Sequence, residues 1–324
     1  IILLGDKDQL ASVDAGVVLG DICAGNAADI YSRQFADQIA ELSGEKLTAE
    51  DIPAGLQDVI IQLQTNFRFA EESGINILAN CVRRGDAAKA MDLLRRQRYS
   101  DIGWTDLNSG SILYTKFAKT VIAGYSAYLE AVKCAADTNI IFDCLEKFRI
   151  LCALRVGNWG TQRINSLVEK ILSEAGLISR RGLFYAGMPV MVTRNDYQLN
   201  LFNGDVGIIL PDGAQDREML AHFRDEQGKI IKITPSRLPQ AETVWATTVH
   251  KSQGSEYDRV LLVLSDRDIP VATRELVYTG ITRARRNVWI WAAEAVLANA
   301  ISRRIKRESG LTDALFPKKT LLYL

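Results

Sequence analysis

Cysteine is sparse and unpatterned in this sequence. The five residues Cys23, Cys81, Cys134, Cys144 and Cys152 are odd in number and show no CxxC or Cys/His ligand spacing. That favours reduced thiols, serving as small core residues, over a disulfide frame or a zinc site. Long apolar runs are missing too. No stretch approaches the ~18–20 unbroken apolar residues of a membrane span, and the opening IILLGDKDQL lacks the basic start of a signal peptide, so a cytoplasmic chain is expected. Low-complexity tracts and internal repeats are absent, and 48% hydrophobic with 24% charged residues is the composition of a folded globular protein. Neither a GxxxxGK(S/T) phosphate loop nor a strand-end Asp-Glu pair for magnesium and water activation is found. Without GxGxxG a metabolic Rossmann enzyme is excluded, and no compact carboxylate and lysine cluster supports nuclease chemistry.

What is present begins with length: 324 residues suffice for two domains. The net charge of zero hides an asymmetry, eleven acids against three bases in residues 1–58 and eight bases against two acids in residues 274–307. Polyanion binding would therefore be local, although the run Arg303, Arg304, Lys306 and Arg307 equally suits a solvated helix face. Ile1 to Leu4 is a buried-strand pattern running into Gly5-Asp6 with no methionine or preceding turn, which reads as the end of a domain whose other strands lie upstream.

Residues 1–22 are thus expected to end one domain, and 23–58 to form an acidic helical insertion or linker broken at Pro53-Ala54-Gly55. Residues 59–182 should begin a second domain: a strand-like opening at 59–69, a helical stripe closed by glycine at 73–86, and two further helices around the buried strand RILCAL. Residues 183–238 change to short β-type runs punctuated by Asn203-Gly204-Asp205, Pro211-Asp212-Gly213 and Glu226-Gln227-Gly228, a small antiparallel module. The second domain then resumes over 239–310, with a helix through ELVYTGITRARR and a strand at VWIWAA, before a tail at 311–324. Strands alternating with helices indicate an α/β layer fold.

Polar loops after apolar runs carry the chemistry. In TTVHKSQGSEYDRV (247–260), Ser252, Gly254 and Ser255 let the chain approach a ligand closely, Glu256 can accept from a sugar hydroxyl and Lys251 can meet a phosphate. GDKDQL (5–10), QTNFRF (64–69) and YTGITRARR (278–286) present the same sort of chemistry. A solvated loop with a helix cap remains the alternative for any one of them.

In order and spacing, these four stretches resemble motifs III, V, IV and VI of superfamily 1 DNA helicases, taken here as GDKDQL, TVHKSQGSE, QTNFRF and YTGITRARR respectively. The nearer resemblance is to the RecD family of bacterial exodeoxyribonuclease V, carried by GDKDQLASVDAGVVLGDI, LFNGDVGI, PSRLP, TVHKSQGSE and RELVYTGITRARR. It implies a RecA-like parallel-sheet motor domain, the second of two, with helical insertions and an inserted antiparallel SH3-like β module. It also implies the C-terminal part of an ATP-dependent 5′-to-3′ DNA helicase acting in double-strand-break repair, using ATP with Mg2+. Most of the nucleotide site would lie upstream of this chain. Single-stranded DNA, duplex DNA ends and the RecB and RecC subunits are the implied partners.

The same resemblance assigns roles. Gln9 would reach the γ-phosphate or attacking water, and Arg68 and Arg283 would stabilise charge spreading over the γ-phosphate. Glu256, with Gly254 and Lys251, would hold the nucleotide. Thr248 and His250 would face the DNA strand, as would Arg194, Asn195 and Asn203 beside the β module. A satisfied buried histidine is the other reading of His250, hairpin chemistry that of Asn203, and pairing with neighbouring acids that of Arg285 and Arg286. The competing class is a binding or scaffold protein that keeps a RecA-like shape without motor activity.

Overall fold

The computed structural model describes residues 2–10, 18–23, 30–61, 63, 69–70, 72–108, 112–180, 182–212, 218–305 and 310–315. The chain divides into two compact units, Ile1–Glu71 with Ile305–Leu324, and Glu72–Arg304. In the first, α1 spans Val18–Cys23, and β1 (Tyr31–Ser32) leads into α2 (Arg33–Ser43) and returns to a parallel partner, β2 (Ala49–Glu50). Ser32 caps α2 by accepting from Phe35 N, and the buried Asp58 carboxylate accepts from Ser32 N and Oγ, both at 2.8 Å, and from Gly55 N at 3.2 Å. One buried carboxylate therefore ties the start of α2 to the turn at Gly55–Asp58.

Two runs expected as strands form none among the described residues of this unit, and residues 1, 62 and 64–68 of these runs lie outside the described ones. Ile2, Leu3 and Leu4 are exposed and form no strand, and Val59 and Ile61 are exposed beside a 3-10 turn at Leu56–Val59. An apolar run becomes a buried strand only where neighbouring strands and covering helices complete it, and the described residues of this unit supply none to these runs.

The second unit opens with α3 (Gly74–Arg84), capped by Ser73 and closed by Gly85 at φ 74°, and α4 (Ala87–Arg96). There follow β3 (Ile102–Thr105), α5 (Ile112–Lys133), α6 (Thr138–Leu145), β4 (Phe148–Cys152) and α7 (Thr161–Glu174). An antiparallel set comes next: β5 (Met188–Val192), β6 (Val206–Asp212), β7 (Glu218–Arg224), β8 (Ile230–Ile233) and β9 (Ala241–Thr243). The chain then returns through β10 (Ala246–Thr248), β11 (Tyr257–Val263), α8 (Arg274–Thr282), β12 (Ala284–Trp291) and α9 (Glu294–Ser302), while α10 (Leu311–Leu315) belongs to the first unit.

The main sheet runs β10-β4-β11-β12-β3 with every pair parallel. Its interior explains its composition: β4 is buried along its whole length and β11 from Val260 onward, as strands covered on both faces require. Helix α5 lays Val121, Tyr125 and Tyr128 into the core, and Gly124 lets it close on β4, since a Cβ there would lie 2.3 Å from the Phe148 ring. The antiparallel sheet, β8-β7-β6-β5-β9, takes its fifth strand from beyond Pro239. One face of it, with Val190, Val192, Ile209, Ala221 and Phe223, has its own small core. On the other face Ile208 and Leu210 join the main core.

The two sheets are joined by a polar clamp on the linking segments. Buried Arg149 donates to Val244 O at 2.7 Å, Tyr128 Oη to Gly187 O at 2.9 Å, and Tyr125 Oη to Trp245 O. Trp245 Nε1 donates to Tyr185 Oη at 3.1 Å, which itself donates to Glu169 at 2.6 Å. Asn165 satisfies both backbone groups of Ala246, accepting from its N–H at 2.7 Å and donating to its carbonyl at 3.1 Å. Arg224 adds a second tie, bonding Asp143 and Glu146 and lying over the Phe142 ring of α6 at 5.1 Å.

Two other expectations are corrected. Only Cys81 and Cys152 are buried; Cys134 is exposed and Cys23 and Cys144 are partly so, each near a helix end where the apolar stripe runs out. The helix expected through Arg286 stops at Thr282, and Arg285 and Arg286 lie in β12, because Arg283 O accepts from Tyr257 N at 2.9 Å and draws the chain into the sheet.

Replacing Asn165 by Ala should cost about 1–3 kcal/mol in urea unfolding, the penalty for leaving buried backbone groups unpaired; an unchanged midpoint would contradict the clamp. Among the described residues, His222, buried in β7, finds no hydrogen bond for either ring nitrogen. Burial pushes its pKa below the ordinary imidazole value, Lys232 adds to this and Asp212 opposes it. A lowered folded-state pKa means that stability is complete above about pH 6.5 and is lost as pH falls through the folded value. The stability of His222→Leu should therefore fall less than that of the unsubstituted protein between neutral and mildly acid pH, and parallel pH profiles would refute this.

Candidate nucleotide and DNA-facing site

The segment from Val249 to Glu256 carries the densest group of candidate residues, and strand register shows where it runs. Thr248 pairs with Cys152 at the carboxyl end of β4, whereas Tyr257 pairs with Ala284 at the amino end of β12. The intervening eight residues thus cross from one edge of the parallel sheet to the other.

At the carboxyl edge, Thr248 Oγ1 accepts from Lys251 N at 3.3 Å, and a 3-10 turn over His250–Ser252 is pinned by buried Ser252, whose hydroxyl donates to Val249 O at 2.8 Å. His250 is half-buried and so is not a core histidine. Lys251 Nζ is bound to Glu242 at 2.7 Å, and the same carboxylate takes Arg155 at 3.4 Å. Sequence reasoning missed Glu242 and Arg155; no local pattern joins residues that far apart in the chain.

At the amino edge, Ser255–Tyr257 and Arg283–Arg285 are zipped together. Tyr257 N donates to Arg283 O at 2.9 Å, Arg283 Nη1 returns to Ser255 O at 3.1 Å, and Arg285 Nε meets Glu256 Oε2 at 3.1 Å. Arg283 is only 4% exposed, which fixes its guanidinium in place; Arg285 is largely in solvent. Gly254 has φ +83°, the left-handed region that disfavours side chains, and a Cβ there would meet nothing within 4 Å. Backbone freedom and open space therefore coincide beside Glu256. Arg286 pairs loosely with Asp258 at 3.8 Å.

The remaining candidates are scattered. Gln9, in the first unit, is half-buried with Nε2 donating to Asp6 Oδ2 at 3.1 Å. Arg68 lies outside the described residues. Arg194, Asn195 and Asn203 are exposed on the β5–β6 connection, where Asn195 Oδ1 accepts from Asn203 N at 2.8 Å. An Asp-Glu pair does follow a strand, at Asp225-Glu226, but it forms a hairpin tip in which Asp225 Oδ1 accepts from Gln227 N and Lys229 N. Among the described residues, no group of His, Cys, Asp or Glu is arranged to hold a metal ion, and no helix is long and apolar enough to cross a membrane.

Residues 243–291 match the model of the UvrD-like helicase C-terminal domain, a span that contains both zipped segments. The chain is 31% identical over 335 aligned positions to the RecBCD enzyme subunit RecD of Haemophilus influenzae, covering 97% of this chain and 50% of that protein. It is 34% identical to the RecBCD enzyme subunit RecD of Mycolicibacterium smegmatis, covering 98% of this chain and 49% of the relative. The ATP-dependent RecD2 DNA helicase of Deinococcus radiodurans is 33% identical over 52% of this chain and 23% of its own length. The chain therefore spans about half the length of the RecD relatives it matches. Over nearly every one of its residues, then, the chain is similar to RecBCD enzyme RecD subunits.

Proposed function

We propose that this chain forms the C-terminal part of an ATP-dependent DNA helicase subunit that moves 5′ to 3′ on single strands within a RecBCD-type complex, with RecB and RecC as partners and duplex DNA ends as entry points. The observation that carries this reading is the pairing of Ser255–Tyr257 with Arg283–Arg285. In this reading the second RecA-like domain offers a nucleotide one buried cation, Arg283, and one half-buried carboxylate, Glu256, beside the open backbone at Gly254. The residues fit such a group: Arg283 is too enclosed to serve as a solvating surface charge, and Glu256 is oriented by Arg285.

Bound ATP with Mg2+ supplies the energy of phosphoryl transfer, and the residues here position and respond to it. Glu256 would accept from the ribose, Arg283 and Arg68 would stabilise negative charge, and Gln9 would orient at the γ-phosphate; Lys251, held by Glu242 at the opposite edge of the sheet, would meet a phosphate only by giving up that carboxylate. Thr248, His250, Arg194, Asn195 and Asn203 line the strand's path, and the antiparallel sheet serves as an SH3-like module on that side. The acidic segment at 23–58 is an insertion, and residues 1–22 close the first motor domain.

In the full-length protein, Arg283→Lys keeps the charge but loses the planar fork. Oligothymidine-stimulated ATP hydrolysis should fall by a factor on the order of 10³, and turnover within a fewfold of the unsubstituted protein would remove Arg283 from the site. The 324-residue chain alone carries no GxxxxGK(S/T) loop. It should release no phosphate above background with ATP and single-stranded DNA, and sustained release would contradict the division of the site between two domains.

A further inference from the structure

The connection between β5 and β6 holds two aromatic rings in solvent. Tyr197 is 79% and Phe202 41% exposed, and their centroids lie 6.0 Å apart with planes at 76°. A floppy loop would account for exposed rings, but this one is built. Asp196 and Leu201 exchange both backbone hydrogen bonds, at 2.7 and 3.0 Å, around the buried Leu201 side chain. Asp196 Oδ1 accepts from Gln198 N and Leu199 N, Phe202 N donates to Asp205 Oδ2 at 2.7 Å, and Gly204 N donates to Val192 O at 2.9 Å. The fold therefore rigidly presents apolar faces that contribute nothing to its core.

Beside Tyr197 lies a pocket of about 560 Å³, walled by Arg194, Gln198, Pro239 and Gln240. Its chemistry is mixed: one aromatic ring, three amides (Asn195, Gln198 and Gln240) and a guanidinium that makes no ion pair among the described residues. The Asp196 carboxylate, also on this wall, is engaged by the two backbone amides of its turn. The pocket adjoins the carboxyl edge of the main sheet, because Gln240 O accepts from Thr193 N and Oγ1 and β9 then brings Glu242 to Lys251 and Arg155.

An amphipathic ligand with a flat π face, hydrogen-bonding edges and a neighbouring negative charge satisfies all of these groups together. We infer that Tyr197 and Phe202 form a stacking platform for an unpaired nucleobase of single-stranded DNA, with Arg194 on the adjoining phosphate and Gln198 and Gln240 at the base edge. This rests on the DNA-translocase reading and adds to it a contact made to bases instead of to the backbone. Aromatic faces accept any base, so the platform grips without selecting sequence.

The test compares the affinity of the full-length protein for oligothymidine with that for an equally long abasic strand, which keeps the phosphates and lacks the bases. Both rings lie in solvent, so Tyr197→Ala/Phe202→Ala should melt with the unsubstituted protein. It should lose on the order of tenfold in oligothymidine affinity, keep its abasic affinity, and so lose its preference for bases; Tyr197→Trp/Phe202→Trp should retain that preference. An unaltered preference in the alanine variant, or equal losses on both strands, would overturn the platform while leaving DNA binding intact. Failure of the unsubstituted protein to bind either strand would overturn the translocase reading, and the platform with it.

Discussion

The arrangement of the second unit depends on one short pairing, the exchange of hydrogen bonds between Ser255–Tyr257 and Arg283–Arg285. It starts β11 beside β12, ends α8 at Thr282, and buries the Arg283 guanidinium against a backbone carbonyl. A buried cation is costly to place unless it is hydrogen-bonded, so the fold commits Arg283 to one geometry. In the role proposed for Arg283, meeting charge that develops briefly on a bound phosphate, such a fixed position is worth more than a flexible one.

A second constraint gives that position a consequence. The eight residues after Thr248 run from the carboxyl edge of the sheet to its amino edge, so the candidate DNA-facing residues and the candidate nucleotide-facing residues share one short connection. Both ends are anchored, by buried Ser252 at one and by the zipper at the other. Movement at Glu256 therefore has little slack to absorb it before Thr248 and His250. The antiparallel sheet is tied in by Asn165, Tyr185, Trp245 and Arg224, which makes the β5–β6 connection an extension of the same body.

Much of this was legible in the sequence, and for identifiable reasons. The stripe closed by Gly85, the continuous apolar run of β4 and the turn residues of the β module report local periodicity and backbone preference, which act over a few residues. Ile2–Leu4 form no strand among the described residues because hydrophobicity gives the need for a covering layer and not its presence. RARR read as helix because helix propensity is local, whereas the bond from Tyr257 that ends the helix comes from a neighbouring strand. The pairing of Lys251 with Glu242, and the union of Tyr197 with Phe202, were likewise invisible: each is made by tertiary placement of residues whose types are unremarkable one by one.

Hydrogen exchange by the full-length protein, with and without a non-hydrolysable ATP analogue, tests the roles of Arg283 and Glu256 most directly. Peptides covering 252–257 and 283–286 should slow together, with a smaller change reaching 248–250, because one bonded pair of segments closes on the nucleotide. Slowing confined to other regions, with these two segments unaltered, would place the nucleotide elsewhere and contradict the role given to Arg283 and Glu256.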